Sequence, residues 1–156
     1  MTERSTTHHT FVIEHTYAAS PSRVFDAWAD PEAKRSWFGP GEERKGEHSL
    51  EFKVDGSERL KVTAPDGALY TFDALYRDIV PGVRIIYAYD MYRDDSRISS
   101  SLATVQLEPA GDGTRLIFTE QAVFLDGLDT PAEREHGTGP LLDALGAYLG
   151  REVADE

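Results

Sequence analysis

Two helix-start signals of the same form, Ser20-Pro21 and Asp30-Pro31, stand close together near the start of the chain, and Gly39-Pro40 closes the second. A serine or aspartate side chain can accept from the free N–H groups of a first helical turn, and a proline just inside that turn loses no hydrogen bond. The spacing predicts two short helices back to back. On the first, Val24, Phe25 and Trp28 share a face while Arg23 and Asp26 meet water, and Trp37 and Phe38 end the second. From Ser49 to Val123 the chain reads instead as strands and hairpins. A meander of that length has to bury one face against something else in the chain.

Ahead of the helices, Phe11 to Tyr17 is β-branched and aromatic and predicts a strand leading into Ser20, with residues 1–9 as a flexible tail. After a charged link from Gly41 to Glu47, four turn sequences follow: Asp55-Gly56, Pro65-Asp66-Gly67, Pro81-Gly82 and Gly111-Asp112-Gly113. Alternation is clearest in the fifth strand, where Ile85, Tyr87, Tyr89 and Met91 point inward and Ile86, Ala88, Asp90 and Tyr92 outward. The same period groups Tyr70, Phe72, Ala74 and Tyr76, and likewise Leu116, Phe118 and Glu120.

The last segment carries an apolar stripe of Leu141, Leu142, Leu145, Tyr148 and Leu149, so a C-terminal helix is expected to lie across the sheet. Thr130-Pro131-Ala132-Glu133 matches a capping box. Gly137-Thr138-Gly139-Pro140 then interrupts the pattern, because a proline there removes a backbone bond and crowds the carbonyl of His136. The element is either one helix kinked near Pro140 or two helices.

With 156 residues, 40 % of them hydrophobic, the chain suits one domain, placed at residues 10–150. Its formal charge of −12 argues against nucleic acid and anionic membranes as partners. No cysteine is present, which excludes disulfides and thiolate chemistry, and no apolar run approaches the roughly 20 residues that span a bilayer. A cytoplasmic protein without cofactor is expected.

The stretch Arg23-Val24-Phe25-Asp26-Ala27-Trp28-Ala29-Asp30-Pro31, followed by Trp37-Phe38-Gly39-Pro40, resembles the start of the activator-of-heat-shock-protein-90-ATPase-like family. Pro65 through Pro81 and Thr114 through Glu120 fit it too. That family belongs to the START/polyketide-cyclase superfamily, and the resemblance implies an α+β helix-grip fold. In it a curved antiparallel sheet of about six or seven strands wraps a long C-terminal helix, and two short helices follow the first strand. It also implies an internal cavity, in a superfamily whose members bind lipids, cyclise polyketide-like compounds or contact chaperones. Gly137 is followed here by Thr138 where relatives often carry a Gly-Trp pair.

The inward side chains Tyr70, Phe72, Tyr76, Tyr87, Tyr89 and Phe118, with Trp37, Phe38, Leu141 and Leu145, would suit a hydrophobic or aromatic, lipid-like ligand, since rings offer apolar area and phenols a few hydrogen bonds. The plainer alternative is that the rings fill the core. Glu120, if inward, could act as a general acid or base in a cyclase- or hydrolase-like enzyme, or could simply pair with Arg134. His136, beside the suspected helix break, is expected at a helix cap or in water, with the cavity mouth as the alternative. His8, His9, His15 and His48 have no metal-ligand spacing, and Ser99, Ser100 and Ser101 lack a nucleophile elbow. Lys34, Arg35, Arg44 and Lys45, diluted by Glu42 and Glu43, read as a solvated face. Small-molecule binding leads; a chaperone or other protein partner, and a homodimer through an edge strand, are the other expectations.

Overall fold

The computed structural model describes residues 3–39 and 46–154. Strand β1 (Thr6–Tyr17) leads into helices α1 (Pro21–Ala29) and α2 (Pro31–Phe38). Six strands follow: β2 (Gly46–Leu50), β3 (Ser57–Thr63), β4 (Leu69–Val80), β5 (Arg84–Arg93), β6 (Ser96–Ala110) and β7 (Gly113–Leu125). Helix α3 (Pro131–Ala154) ends the chain. The strands form one open antiparallel sheet in the order β1-β7-β6-β5-β4-β3-β2, with β1 closing on the last strand. This is the α+β helix-grip arrangement.

Ser20 caps α1 as its type predicts, its hydroxyl accepting from Arg23 N–H at 3.3 Å. Asp30 behaves differently. Its side chain makes no capping bond, and its backbone N–H donates to Asp26 O, so one residue ends α1 and starts α2. Because Pro31 has no N–H, the carbonyl of Ala27 lacks its helical partner, and the indole Nε1 of Trp37 donates to it at 2.9 Å. The two helices are thereby locked through a tryptophan.

All four turn sequences join strands, and Asp94-Asp95, which carries no glycine, makes a further hairpin between β5 and β6. Asp94 takes the left-handed conformation there, at φ 53°. The expected tail is shorter than residues 1–9, since Thr6 to His9 already pair with Leu125 to Ala122. Residues 40–45, which include Pro40, Arg44, Lys45 and most of the charged link, lie outside the described residues.

Helix α3 is a single helix through Pro140. The carbonyl that Pro140 cannot serve belongs to exposed His136, where water can reach it, and the Thr138 hydroxyl donates to Arg134 O at 2.9 Å. Thr130 caps the start, accepting from Glu133 N–H at 3.2 Å, while its own N–H donates to Asp129 Oδ1. The Glu133 carboxylate is thus not drawn back into a capping box. Farther along, Gly146 lets the helix touch β1, because a Cβ there would stand 3.2 Å from the Tyr17 ring. Tyr17 in turn donates to the carbonyl of Leu142 at 2.8 Å.

Candidate functional site

The inner face of the sheet follows the predicted alternation: Ile85, Tyr87 and Tyr89 on β5, Phe72, Ala74 and Tyr76 on β4, and Leu116, Phe118 and Glu120 on β7 are all buried. Between that face, the helix pair and the first half of α3 lies a half-enclosed hollow of about 260 Å³. Trp28, Trp37 and Phe38 wall it from the helix pair, Phe72, Tyr87, Tyr89 and Phe118 from the sheet, and Leu141 and Leu142 from α3, with Leu60 and Met91 between them. Asp129, Glu133, Arg134, Gly137 and Thr138 gather at the α3 end, where Glu133 and Gly137 are exposed and form its mouth. A broader groove of about 560 Å³ on the outer side of α3, where His136 lies, is open to water.

Eight of the eleven residues singled out in the sequence border this hollow: Trp37, Phe38, Phe72, Tyr87, Tyr89, Phe118, Glu120 and Leu141. Three do not. Tyr70 sits near the β3–β4 hairpin, half-exposed and opposite Arg93. Leu145 is fully buried in the core below the hollow, and Tyr76 is committed to a buried ion pair described below. Arg134, expected from the sequence only as a partner for Glu120, has a larger role.

Arg134 enters the polar end from α3 and organises it. Its Nη1 donates to Tyr89 OH at 2.9 Å and to Glu120 Oε2 at 3.4 Å; its Nη2 donates to Ser99 Oγ and to Asp129 Oδ2, both at 2.7 Å. Tyr89 OH passes the chain on, donating to Glu120 Oε1 at 2.8 Å, and Ser101 Oγ donates to the other oxygen at 3.3 Å. Burial raises the Glu120 carboxyl pKa above the ordinary 4.5, an effect that the Arg134 charge and these hydrogen bonds only partly offset. Of the two readings of Glu120, pairing with Arg134 is present, and the carboxylate also borders the hollow.

Lys34 is not on a solvated face. It is fully buried, with Nζ donating to Glu58 Oε1 at 2.6 Å and to Tyr76 OH at 3.2 Å. Glu58 is equally buried; its Oε1 also accepts from Tyr76 OH at 2.6 Å, and its Oε2 lies 2.7 Å from His48 Nε2. The ammonium sits 4.6 Å from the Phe38 ring centroid, 5.2 Å from Trp28 and 5.7 Å from Tyr87, so three rings of the lining are backed by one cation. The misreading has a physical cause. Lys34 shares a helical face with Trp37, and Glu58 shares a strand face with Leu60, so each charge reaches the interior only because the other meets it there.

No group of three or more histidine, cysteine or acidic residues among the described residues could hold a metal ion, and no described helix is long and apolar enough to cross a membrane. Residues 18–150 match the family model described as activator of Hsp90 ATPase homolog 1-like protein. The chain belongs to that family. Among solved structures, a protein of Rhizobium leguminosarum is 48 % identical, with 96 % of this chain and 99 % of that one covered and a TM-score of 0.92. Mll3558 of Rhizobium loti is 45 % identical over 92 % of this chain and 99 % of its own, with a TM-score of 0.87. DynU16, from the dynemicin biosynthetic locus, shares the fold at 19 % identity, covering 90 % of this chain and 47 % of its own with a TM-score of 0.67. No protein of curated function matches. Within this Hsp90-activator-like family the chain keeps the helix-grip frame while placing Thr138 and Pro140 in its last helix.

Proposed function

We propose that this chain binds an apolar or aromatic, lipid-like small molecule in the hollow between the sheet and α3, as a carrier or sensor without chemistry of its own. What supports this reading is the division of the lining: rings on the helix-pair and sheet sides, leucines from α3, and a hydrogen-bonded polar cluster confined to the start of α3. A ligand so placed loses its apolar surface to the rings and keeps one polar end oriented. Because a dry cavity of about 150 Å³ holds benzene, a hollow of about 260 Å³ suits one or two fused rings with a short polar arm. The proposed contacts are Trp37, Phe38, Phe72, Tyr87, Tyr89, Phe118, Glu120 and Leu141. The test is a thermal-shift screen of ring compounds and short lipids, with the fluorescence of Trp28 and Trp37 followed in parallel. Saturable changes in both support binding, and no response to any compound overturns it.

One observation favours a second reading. Glu120 combines a raised pKa with a place on the hollow's wall, which is what proton transfer to a bound molecule requires. Loss of turnover in Glu120→Gln with unchanged ligand affinity would establish that role. The family's description also names the Hsp90 ATPase; stimulation of that ATPase by this chain, lost as salt screens its −12 charge, would point to a chaperone partner instead.

A further inference from the structure

Among the described residues lining the hollow Arg134 is the one cation, and both of its terminal nitrogens are already engaged. Nη1 serves Tyr89 and Glu120, Nη2 serves Ser99 and Asp129, and those four bonds use the four protons that the two nitrogens carry. An incoming carboxylate or phosphate would have to displace internal partners to gain the two-pronged grip that makes arginine an anion receptor. Against this single guanidinium stand three carboxylates, Glu120, Asp129 and Glu133. Even with Glu120 protonated, the count stays at two against one.

Glu133 differs from the other two in having no side-chain partner among the described residues. The Thr130 N–H that a capping box would offer it is taken by Asp129, and its carboxylate makes no ion pair among the described residues. It stands exposed at the mouth, one helical turn from Gly137, beside whose Cα a Cβ would meet no atom within 4 Å. The aromatic wall adds the rings of Phe72 and Phe118, of a kind that attracts positive charge, while the Tyr89 ring already has the Arg134 guanidinium 5.6 Å from its centroid.

We infer that the hollow selects amine-bearing ligands: a ring system carrying a protonated amine, seated among the aromatics with its ammonium group at the Glu133 mouth. The inference rests on the small-molecule reading above and names its chemical class. An ammonium there gains an unpaired carboxylate and costs Arg134 none of its bonds. A carboxylate of the same shape meets net negative charge and no free donor on the guanidinium's two terminal nitrogens.

The experiment is isothermal titration calorimetry with three probes of one skeleton, 2-naphthylmethylamine, 2-naphthylmethanol and 2-naphthoate, at low and at high salt. We expect the amine to bind at least about tenfold more tightly than the carboxylate, with the alcohol between them. High salt removes the long-range pull of the −12 surface, so a preference that persists there belongs to the site. In Glu133→Gln, an exposed change that leaves the core untouched, the amine should fall toward the alcohol while the alcohol keeps its affinity. Equal affinities, a tighter carboxylate, a preference that vanishes at high salt, or an amine preference untouched in Glu133→Gln overturn the inference while leaving the hollow a binding site. If none of the three binds, and the thermal-shift screen is silent as well, the small-molecule reading falls with it.

Discussion

Lys34 Nζ stands 2.6 Å from Glu58 Oε1, and neither side chain is exposed to water. A buried pair of this kind adds little net stability over an apolar pair of similar volume, yet removing one partner strands the other charge in a medium that cannot solvate it. We expect Lys34→Met to cost about 3–5 kcal/mol and Lys34→Met/Glu58→Met to recover most of that loss. Urea denaturation of the two single variants and the double variant tests this. Additive losses would mean that the pair is not coupled.

Glu58 and Glu120 titrate on opposite sides of the ordinary glutamate value of 4.5. Burial alone would raise Glu58, but the Lys34 charge and the hydrogen bonds from His48, Lys34 and Tyr76 outweigh it and bring the pKa down to about 2. The unfolded chain then binds this proton more tightly than the folded one. The stabilisation is therefore present above the unfolded value and is lost as pH falls toward about 2, an effect of about 3 kcal/mol. For Glu120 burial wins and the folded pKa is raised, so the sign reverses: stability declines as pH rises from 4.5 through the raised value. Unfolding midpoints measured against pH should lose the decline that begins at 4.5 in Glu120→Gln and keep the loss toward about 2. An unchanged decline above 4.5 in that variant would contradict the raised pKa.

Gly137 faces the mouth of the hollow from within α3, where a side chain would find open space. Gly137→Ala should stabilise by up to about 1 kcal/mol, the helix-propensity difference. Gly137→Leu should fill the mouth. The expected pattern is opposite movement of the two measurements, with melting temperature maintained or raised while ligand response falls. Parallel loss of both would mean that the position holds the helix rather than the entrance.

Trp28 and Trp37 meet edge to face with ring centroids 4.8 Å apart, both are buried, and only one has its indole N–H satisfied. Trp37 Nε1 donates to Ala27 O, whereas Trp28 Nε1 is buried with no partner among the described residues. Replacing either by phenylalanine removes a similar volume. We expect Trp37→Phe to cost about 1–3 kcal/mol more than Trp28→Phe, because it also strands the Ala27 carbonyl. Denaturant midpoints of the two variants decide it, and equal costs would refute the hydrogen-bond argument.

Helix starts, turns and strand faces are local properties, and the chain shows them locally. Ser20, Pro21, Pro31 and Thr130 mark helix ends through the bonds that their own atoms make or forgo, and the alternation of Ile85, Tyr87 and Tyr89 assigns the inner face without reference to any other strand. The aromatic side of the hollow was legible for that reason. Of its polar side only Glu120 and its pairing with Arg134 were legible, although a further signal existed. Arg134, Thr138, Leu141, Leu142, Leu145 and Leu149 recur at three- and four-residue spacing on one face, but the pattern is visible only if the helix runs through Gly139-Pro140. Proline's local penalty left a kinked helix and two helices equally open; contact with the sheet and the helix pair holds the segment as one helix.

The sequence by itself determined the element order, the fold class and the inward rings, because each follows from the bonding and shape of residues near one another in the chain. Only the tertiary structure decided where the charges go. Lys34 and Glu58 lie on different elements, as do Arg134 and Glu120, and each is stable indoors solely because its partner arrives from elsewhere in the fold. Desolvation of one charge and its compensation by another act across space, so no local pattern in the chain records them.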